Sequence, residues 1–167
     1  MGGVDLSSTD NEGLAVRDMR PGEEAFVVEL TISVWDKVSV FKNICDHYGE
    51  VNGHPWTDGK ADQIIAELNR ADVVLVGEVG GERVALATLI YDRKYATGTV
   101  GHLGVARDTQ NKGLGRAMLR AGLARMKRDG MKYSRIDTLA QNPRAAHLYE
   151  SEGFQEVARS IHYFMPL

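Results

Sequence analysis

The stretch QNKGLGRA, Gln110 to Ala117, sets Gly113 and Gly115 where a polar, basic loop runs into an amphipathic helix. Glycine costs a helix about 1 kcal/mol relative to alanine. Backbone N–H groups at the positive end of a helix dipole are an anion site, however, and glycine lets a phosphate approach them closely. The chain holds no G-x-x-x-x-G-K-[ST] string, so it has no P-loop. The dinucleotide fingerprint G-x-G-x-x-G/A starts at Gly113 and Gly115 but meets Met118 at its third position; only Asp137, on the strand expected to follow, speaks for it. Further along, Asn142 and Tyr149 stand seven residues apart, two helical turns, and so share a face. A phenol with a pKa near 10 can hydrogen-bond a thiolate whose pKa is near 8.5. Cys45, His47 and His54 match no common zinc spacing, and no metal is expected.

The elements that must hold these residues read as one mixed domain. LAVRDMR alternates like a strand, Pro21 suits a first helical turn, and Phe26, Val27, Leu30 and Val34 recur at helical spacing. From Trp35 to Trp56 the pattern fades, until Thr57 or Asp58 caps a short helix carrying Ile64, Ile65 and Leu68. DVVLVGEV, the turn Gly80-Gly81, RVALATLIY and TVGHLGVAR read as an antiparallel meander. A helix with Met118, Leu119, Gly122, Leu123 and Met126 on one face follows, with Gly130 as its C-cap. YSRIDTLA is a further strand, Asn142 and Pro143 open the next helix, and EVA and IHYFM are expected to close the chain as short strands. The order implies an α+β fold, a mixed and mostly antiparallel twisted sheet with helices on both faces. Residues 1–12 read as a disordered tail before a domain over residues 13–167.

With 167 residues, 43% of them hydrophobic, the chain can bury a substantial core. No apolar run approaches the roughly 20 residues that span a bilayer, so no membrane partner is expected. The single cysteine suits a reducing compartment, and a cytoplasmic location is expected. The net charge of −3 is uneven: Arg107 to Arg144 holds ten of the twenty basic residues against three acids. A nucleic-acid binder using Arg116, Arg120, Lys127 and Arg128 is disfavoured by the net charge and by the lack of an aromatic platform beside them.

QNKGLG matches the Q/R-x-x-G-x-G/A acetyl-CoA signature. With GHLGV before it and NPRAAHLYESEGF after it, the chain resembles the GCN5-related N-acetyltransferases from about Leu14 onward. The resemblance implies a sheet splayed between its central fourth and fifth strands, with acetyl-CoA as acyl donor. Backbone amides of Gln110, Asn111, Lys112, Gly113, Leu114, Gly115, Arg116 and Ala117 would hold the pyrophosphate, and Leu103, Gly104 and Val105 would pair with the pantetheine arm. Gly101 and Gly104 would be costly as simple ladder residues, and a bulge or a close ligand would explain them. Asn142 would contact the coenzyme, Tyr149 would protonate the departing thiolate, and Arg144 would reach an adenosine phosphate. Relatives often carry a glutamate base on the TVGHLGV strand; Thr99 or Gly101 stands there, leaving His102 as base candidate with Asp137 and Tyr91 in reserve.

The resemblance places the acceptor site in Trp35 to Trp56 and the Tyr91 to Gly98 link. Trp35, Phe41, Tyr48, Trp56 and Tyr91 would wall an amine pocket, with Asp36, Asp46, Glu50 and Asp58 to attract a cation. The expected function is acetyl transfer to a small cationic amine by direct attack. A protein lysine or N-terminus, or a regulatory coenzyme A-binding module without turnover, stands as the alternative. The resemblance also admits a homodimer.

Overall fold

The β-rich runs pair in a register set by tight turns. In the computed structural model, which describes residues 13–167, β1 (Leu14–Asp18), β2 (Val73–Val79), β3 (Glu82–Asp92) and β4 (Thr97–Val105) pair antiparallel in chain order. β5 (Tyr133–Ile136) then joins β4 in parallel, so the sheet is mixed and mostly antiparallel. The tail expected over residues 1–12 lies outside the described residues. Gly80 and Gly81 both take positive φ and form the two-residue turn between β2 and β3, the geometry whose twist matches that of the strands.

Helices cover both faces. α1 (Glu24–Val34) and α3 (Trp56–Leu68) bury Val27, Leu30 and Ile64 beside Leu86 of β3, and α2 (Val40–Tyr48) packs on α3. On the opposite face α4 (Leu114–Arg128) buries Leu114, Met118, Leu119 and Met126 against Leu75, Ala87, Leu89 and Val100. Each such side chain stabilises the fold by about 1.5–3 kcal/mol when fully buried. α5 (Pro143–Ser151) lays Leu148 and Tyr149 on that second layer. Asn142 caps it by accepting a hydrogen bond from the Ala145 N–H at 3.3 Å, as its sequence implied.

The structure departs from the sequence reading in four places. Pro21 lies in a turn ahead of α1, which begins at Glu24. α2 forms inside the stretch that showed no pattern, capped by the Ser39 hydroxyl and ended at Gly49 with φ 80°. α3 starts at Trp56, one residue before the expected caps. EVA and IHYFM form no strands: beyond Gly153 the chain joins no ladder, and Val157, Ile161 and Tyr163 are exposed. Alternating residues make a strand only where an edge accepts them; this segment instead sets Phe164 against Tyr48, whose hydroxyl donates to the Phe164 carbonyl at 3.2 Å.

Two features of β4 create the site. Ala87 pairs with Leu103 and Leu89 with Val100, so Thr88 alone faces both Gly101 and His102, and β4 carries a bulge there. Pairing with β5 runs only from Thr97 to Val100, and past this point the fourth and fifth strands part.

Candidate active site

A cleft of about 710 Å³ opens where β4 leaves β5. Its walls include Leu103, Gly104 and Val105 from β4, the loop before α4, and Asn142, Arg144 and Tyr149 from α5. In the loop Asn111 (φ 65°) and Gly113 (φ 78°) take left-handed conformations, which turn successive N–H groups toward one side. Gly113 is the N-cap of α4 and has no side-chain cap, so the first N–H groups of that helix remain available to an anion. A Cβ on Gly115 would meet Leu148 and Val105 only at ordinary contact distances of 3.8 and 3.9 Å; protein packing does not demand glycine there. Gln110 braces the loop, donating to the Val105 carbonyl at 2.9 Å and accepting from Arg144 at 3.0 Å.

Of the cofactor-site expectations, Gln110, Asn111, Gly113, Leu114, Gly115 and Arg116 line the cleft with the β4 and α5 residues, whereas Lys112 and Ala117 do not. Arg116 and Arg120 both bind Glu152, at 2.5 and 2.7 Å. Tyr149 lies on the cleft wall with its phenol pushed up to about 12 by burial and then by the charge of Asp137, so it holds its proton across the physiological range.

The proposed acceptor wall divides. Trp35 and Phe41 line the cleft with Asp36, which pairs with Arg107. Phe41 also borders a second cavity of about 320 Å³, walled by Trp56, Cys45, Asp58, Asp62 and Phe164. A Cβ on Gly59 would lie 2.6 Å from the Phe41 ring, so this glycine inside α3 lets the ring form the partition. Tyr48 stands outside both cavities against Phe164. Tyr91 belongs to the opposite layer: β3 directs it toward α4, where its hydroxyl donates to Asp129 at 2.9 Å.

His102 is buried, and neither ring nitrogen is free. Nδ1 lies 2.8 Å from Glu67 Oε1 and Nε2 lies 2.9 Å from Lys60 Nζ. A carboxylate only accepts, so Nδ1–H donates to Glu67 and Nε2 accepts from Lys60. The Thr88 hydroxyl also donates to Glu67 Oε1 and accepts the His102 N–H at 2.7 Å. The bulge turns Gly101 and His102 to the same side, and the Glu67 carboxylate fills the space where a Gly101 side chain would project. Burial raises the Glu67 pKa, but the His102 bond outweighs it with help from Thr88 and Arg70, and the carboxyl ends below its ordinary value. Burial pulls the Lys60 ammonium down to about 8, with Glu67 opposing.

Lys60 and Glu67 are the residues that sequence reasoning missed. They flank Ile64 at positions four before and three after, on the buried stripe of α3 where apolar residues belong. Charges in register with an apolar stripe were the available signal. Among the described residues no cluster of histidine, cysteine or carboxylate side chains is arranged to hold a metal ion.

Comparison with known proteins agrees with this geometry. A mycothiol acetyltransferase of Propionibacterium freudenreichii subsp. shermanii is 38% identical over 66 residues, which are 40% of this chain and 21% of that protein; the match thus spans about a fifth of its relative. The ribosomal-protein-S18-alanine N-acetyltransferase of Escherichia coli superposes with a TM-score of 0.64 at 18% identity, covering 87% of this chain and 79% of that one. An aminoglycoside N-acetyltransferase in complex with CoA superposes with a TM-score of 0.63 at 16% identity, covering 97% and 100%. These two likenesses establish the fold. Residues 41–154, more than half of the chain, match the model of the Acetyltransferase (GNAT) family, and the chain belongs to that family.

Proposed function

We propose that this protein moves an acetyl group from acetyl-CoA to the primary amine of a small cationic acceptor by direct attack in a ternary complex. The observation that carries the reading is the cleft between β4 and β5, with the left-handed loop at Asn111 and Gly113 in its wall and the protonated phenol of Tyr149 beside it. The loop amides would bind the coenzyme pyrophosphate, and the strand from Leu103 to Val105 would pair with the pantetheine arm. The amine nitrogen bonds to the acetyl carbon, the carbon–sulfur bond breaks, and the Tyr149 O–H supplies the proton to the leaving thiolate. The amine's own proton passes to the polar cluster around His102. No acyl-enzyme is needed: Cys45 lines the second cavity.

Trp35, Phe41 and Asp36 on the cleft wall support a cationic acceptor, as does the likeness to an aminoglycoside-acetylating enzyme. A homodimer and a cytoplasmic setting belong to the same reading, the latter supported by the lone thiol of Cys45. Nucleic acid and membrane do not figure among the partners; the engagement of Arg116 and Arg120 by Glu152 supports this for nucleic acid.

Calorimetric titration with acetyl-CoA, with NADH as control, tests the cofactor. Selective micromolar binding is expected; binding of NADH alone overturns the reading. Tyr149→Phe is expected to lower kcat about 100-fold with acetyl-CoA affinity retained. Unchanged turnover would remove Tyr149 as the acid.

A further inference from the structure

We infer that Lys60 is the group that takes the proton from the attacking amine, and that His102 and Glu67 position it for that task. The inference rests on the acetyltransferase reading above. An alkylamine has a pKa near 10 and attacks only as the free base, so a proton must leave it near the thioester. His102 cannot receive it directly, because both ring nitrogens are already bonded. Lys60 lines the same cleft as Tyr149 and stands at one end of the chain Lys60, His102, Glu67, whose other end does not reach the cleft wall.

The geometry suits a neutral lysine. An uncharged amine has two N–H bonds and one lone pair. Two acceptors stand at 2.9 Å from Nζ, the Gln63 Oε1 and the His102 Nε2, one for each N–H. The lone pair is then left, among the described residues, without another hydrogen-bond partner. The Trp35 ring lies 5.0 Å from Nζ, so the ammonium formed on protonation meets a π face. Charged and titratable groups facing Lys60 are Glu67 on its own helix and His102 on β4. Across the cleft stand Asp36 and Lys37 after α1, Arg107 after β4, Arg116 on α4, Asp137 after β5, Arg144, His147 and Tyr149 on α5, and His162 beyond it. Burial pulls the Lys60 ammonium down and the Glu67 charge raises it, leaving it at about 8, well below a free lysine near 10.4.

The step balances. As the amine nitrogen bonds to the acetyl carbon, its N–H proton moves to the Lys60 lone pair. Lys60 becomes an ammonium still donating to Gln63 and His102, and it returns the proton to solvent through the open cleft before the next turnover.

The test begins with the wild-type protein. The 13Cε resonance of Lys60, assigned by its loss in Lys60→Met, is followed against pH by NMR. A midpoint near 8 is expected, moving lower in Glu67→Gln, which removes the charge that holds it up. A midpoint above 10 overturns the inference. With spermidine, glucosamine and kanamycin as amine probes, Lys60→Met is expected to lose about 100-fold in kcat while calorimetric acetyl-CoA affinity stays within about twofold. The alkaline-rising limb of kcat/KM should move to lower pH in Glu67→Gln, a change that a merely structural role would not produce. Wild-type turnover in Lys60→Met overturns the inference and leaves acetyl transfer standing. Failure of the wild-type protein to bind acetyl-CoA overturns both.

Discussion

Two buried charge clusters sit on this sheet, and they hold their protons in opposite ways. At the β1–β2 end, Arg17 grips Glu23 with two hydrogen bonds of 2.7 and 2.8 Å, and its Nε reaches Glu78 at 3.0 Å. The Arg20 N–H adds a bond of 2.7 Å to Glu23, and Arg83 stands at 3.6 Å. The Arg17 contact, opposed only in part by burial, holds the Glu23 carboxyl down to about 2. At the cleft, the His102 ring separates Lys60 from Glu67, and burial wins over attraction. Direct contact of opposite charges fixes both at every working pH. The same charges with a ring between them leave one group able to titrate where an enzyme operates.

Removing a partner should expose this contrast. Glu23→Ala removes two of the Arg17 hydrogen bonds, leaves the Arg20 N–H without its carboxylate and should cost about 3 kcal/mol, lowering Tm by roughly 6–12 °C. Acetyl-CoA affinity should not change. Scanning calorimetry and titration check the pair of outcomes, and a loss of affinity would show that the two ends are not independent.

A smaller effect is expected at the cleft. Gly101→Ala drives a methyl into the Glu67 carboxylate and should cost about 2 kcal/mol by overpacking. Because Glu67 holds the Lys60 pKa up, the NMR midpoint of Lys60 should fall as well. A variant with wild-type Tm and midpoint would show that the carboxylate moves aside freely.

The smallest effect lies in the pH dependence of stability, where the two clusters should act at opposite ends. Glu23 has a depressed pKa, so its contribution is present above about pH 4.5 and is lost as the pH falls toward about 2. The Lys60 pKa is also depressed, which for a lysine is a penalty: below about pH 8 the full cost of the buried ammonium is present. Between about 8 and 10.5 the unfolded chain holds more protons than the folded one, so stability rises with pH. Urea midpoints across pH should show this rise in the wild type and not in Lys60→Met.

The same contrast explains what could be read without coordinates. The loop, α4, the hairpin and the Asn142 cap were legible because glycine, proline and capping residues act within a few positions of themselves. The parting of β4 from β5 followed from family resemblance; Gly101 and Gly104 pointed to a bulge or a close ligand, and the bulge falls at Gly101, whereas Gly104 pairs with Leu86 and makes room for the Trp35 ring. α2 was hidden because Val40 to Tyr48 mixes charge and aromatic residues and buries none completely. The C-terminal segment has strand-like residues, but alternation alone does not supply an edge to pair with. Lys60 and Glu67 look like solvated residues until β4 is laid against α3, since the partners that justify their burial lie 42 and 35 positions away.

The bulge in β4 also has a mechanical meaning. Opposite the single residue Thr88, β4 spends two, Gly101 and His102. A strand advances about 3.3 Å per residue, so β4 carries that much surplus contour length over β3 within one ladder. The surplus has to appear as curvature, and it does so one residue after β5 stops following at Val100. Excising Gly101 would leave Val100, His102, Leu103, Gly104 and Val105 on the faces they already occupy. It would also remove the bend, let β4 run on beside β5 and fill the cleft with sheet. One residue of excess length is what keeps this sheet open to a second molecule.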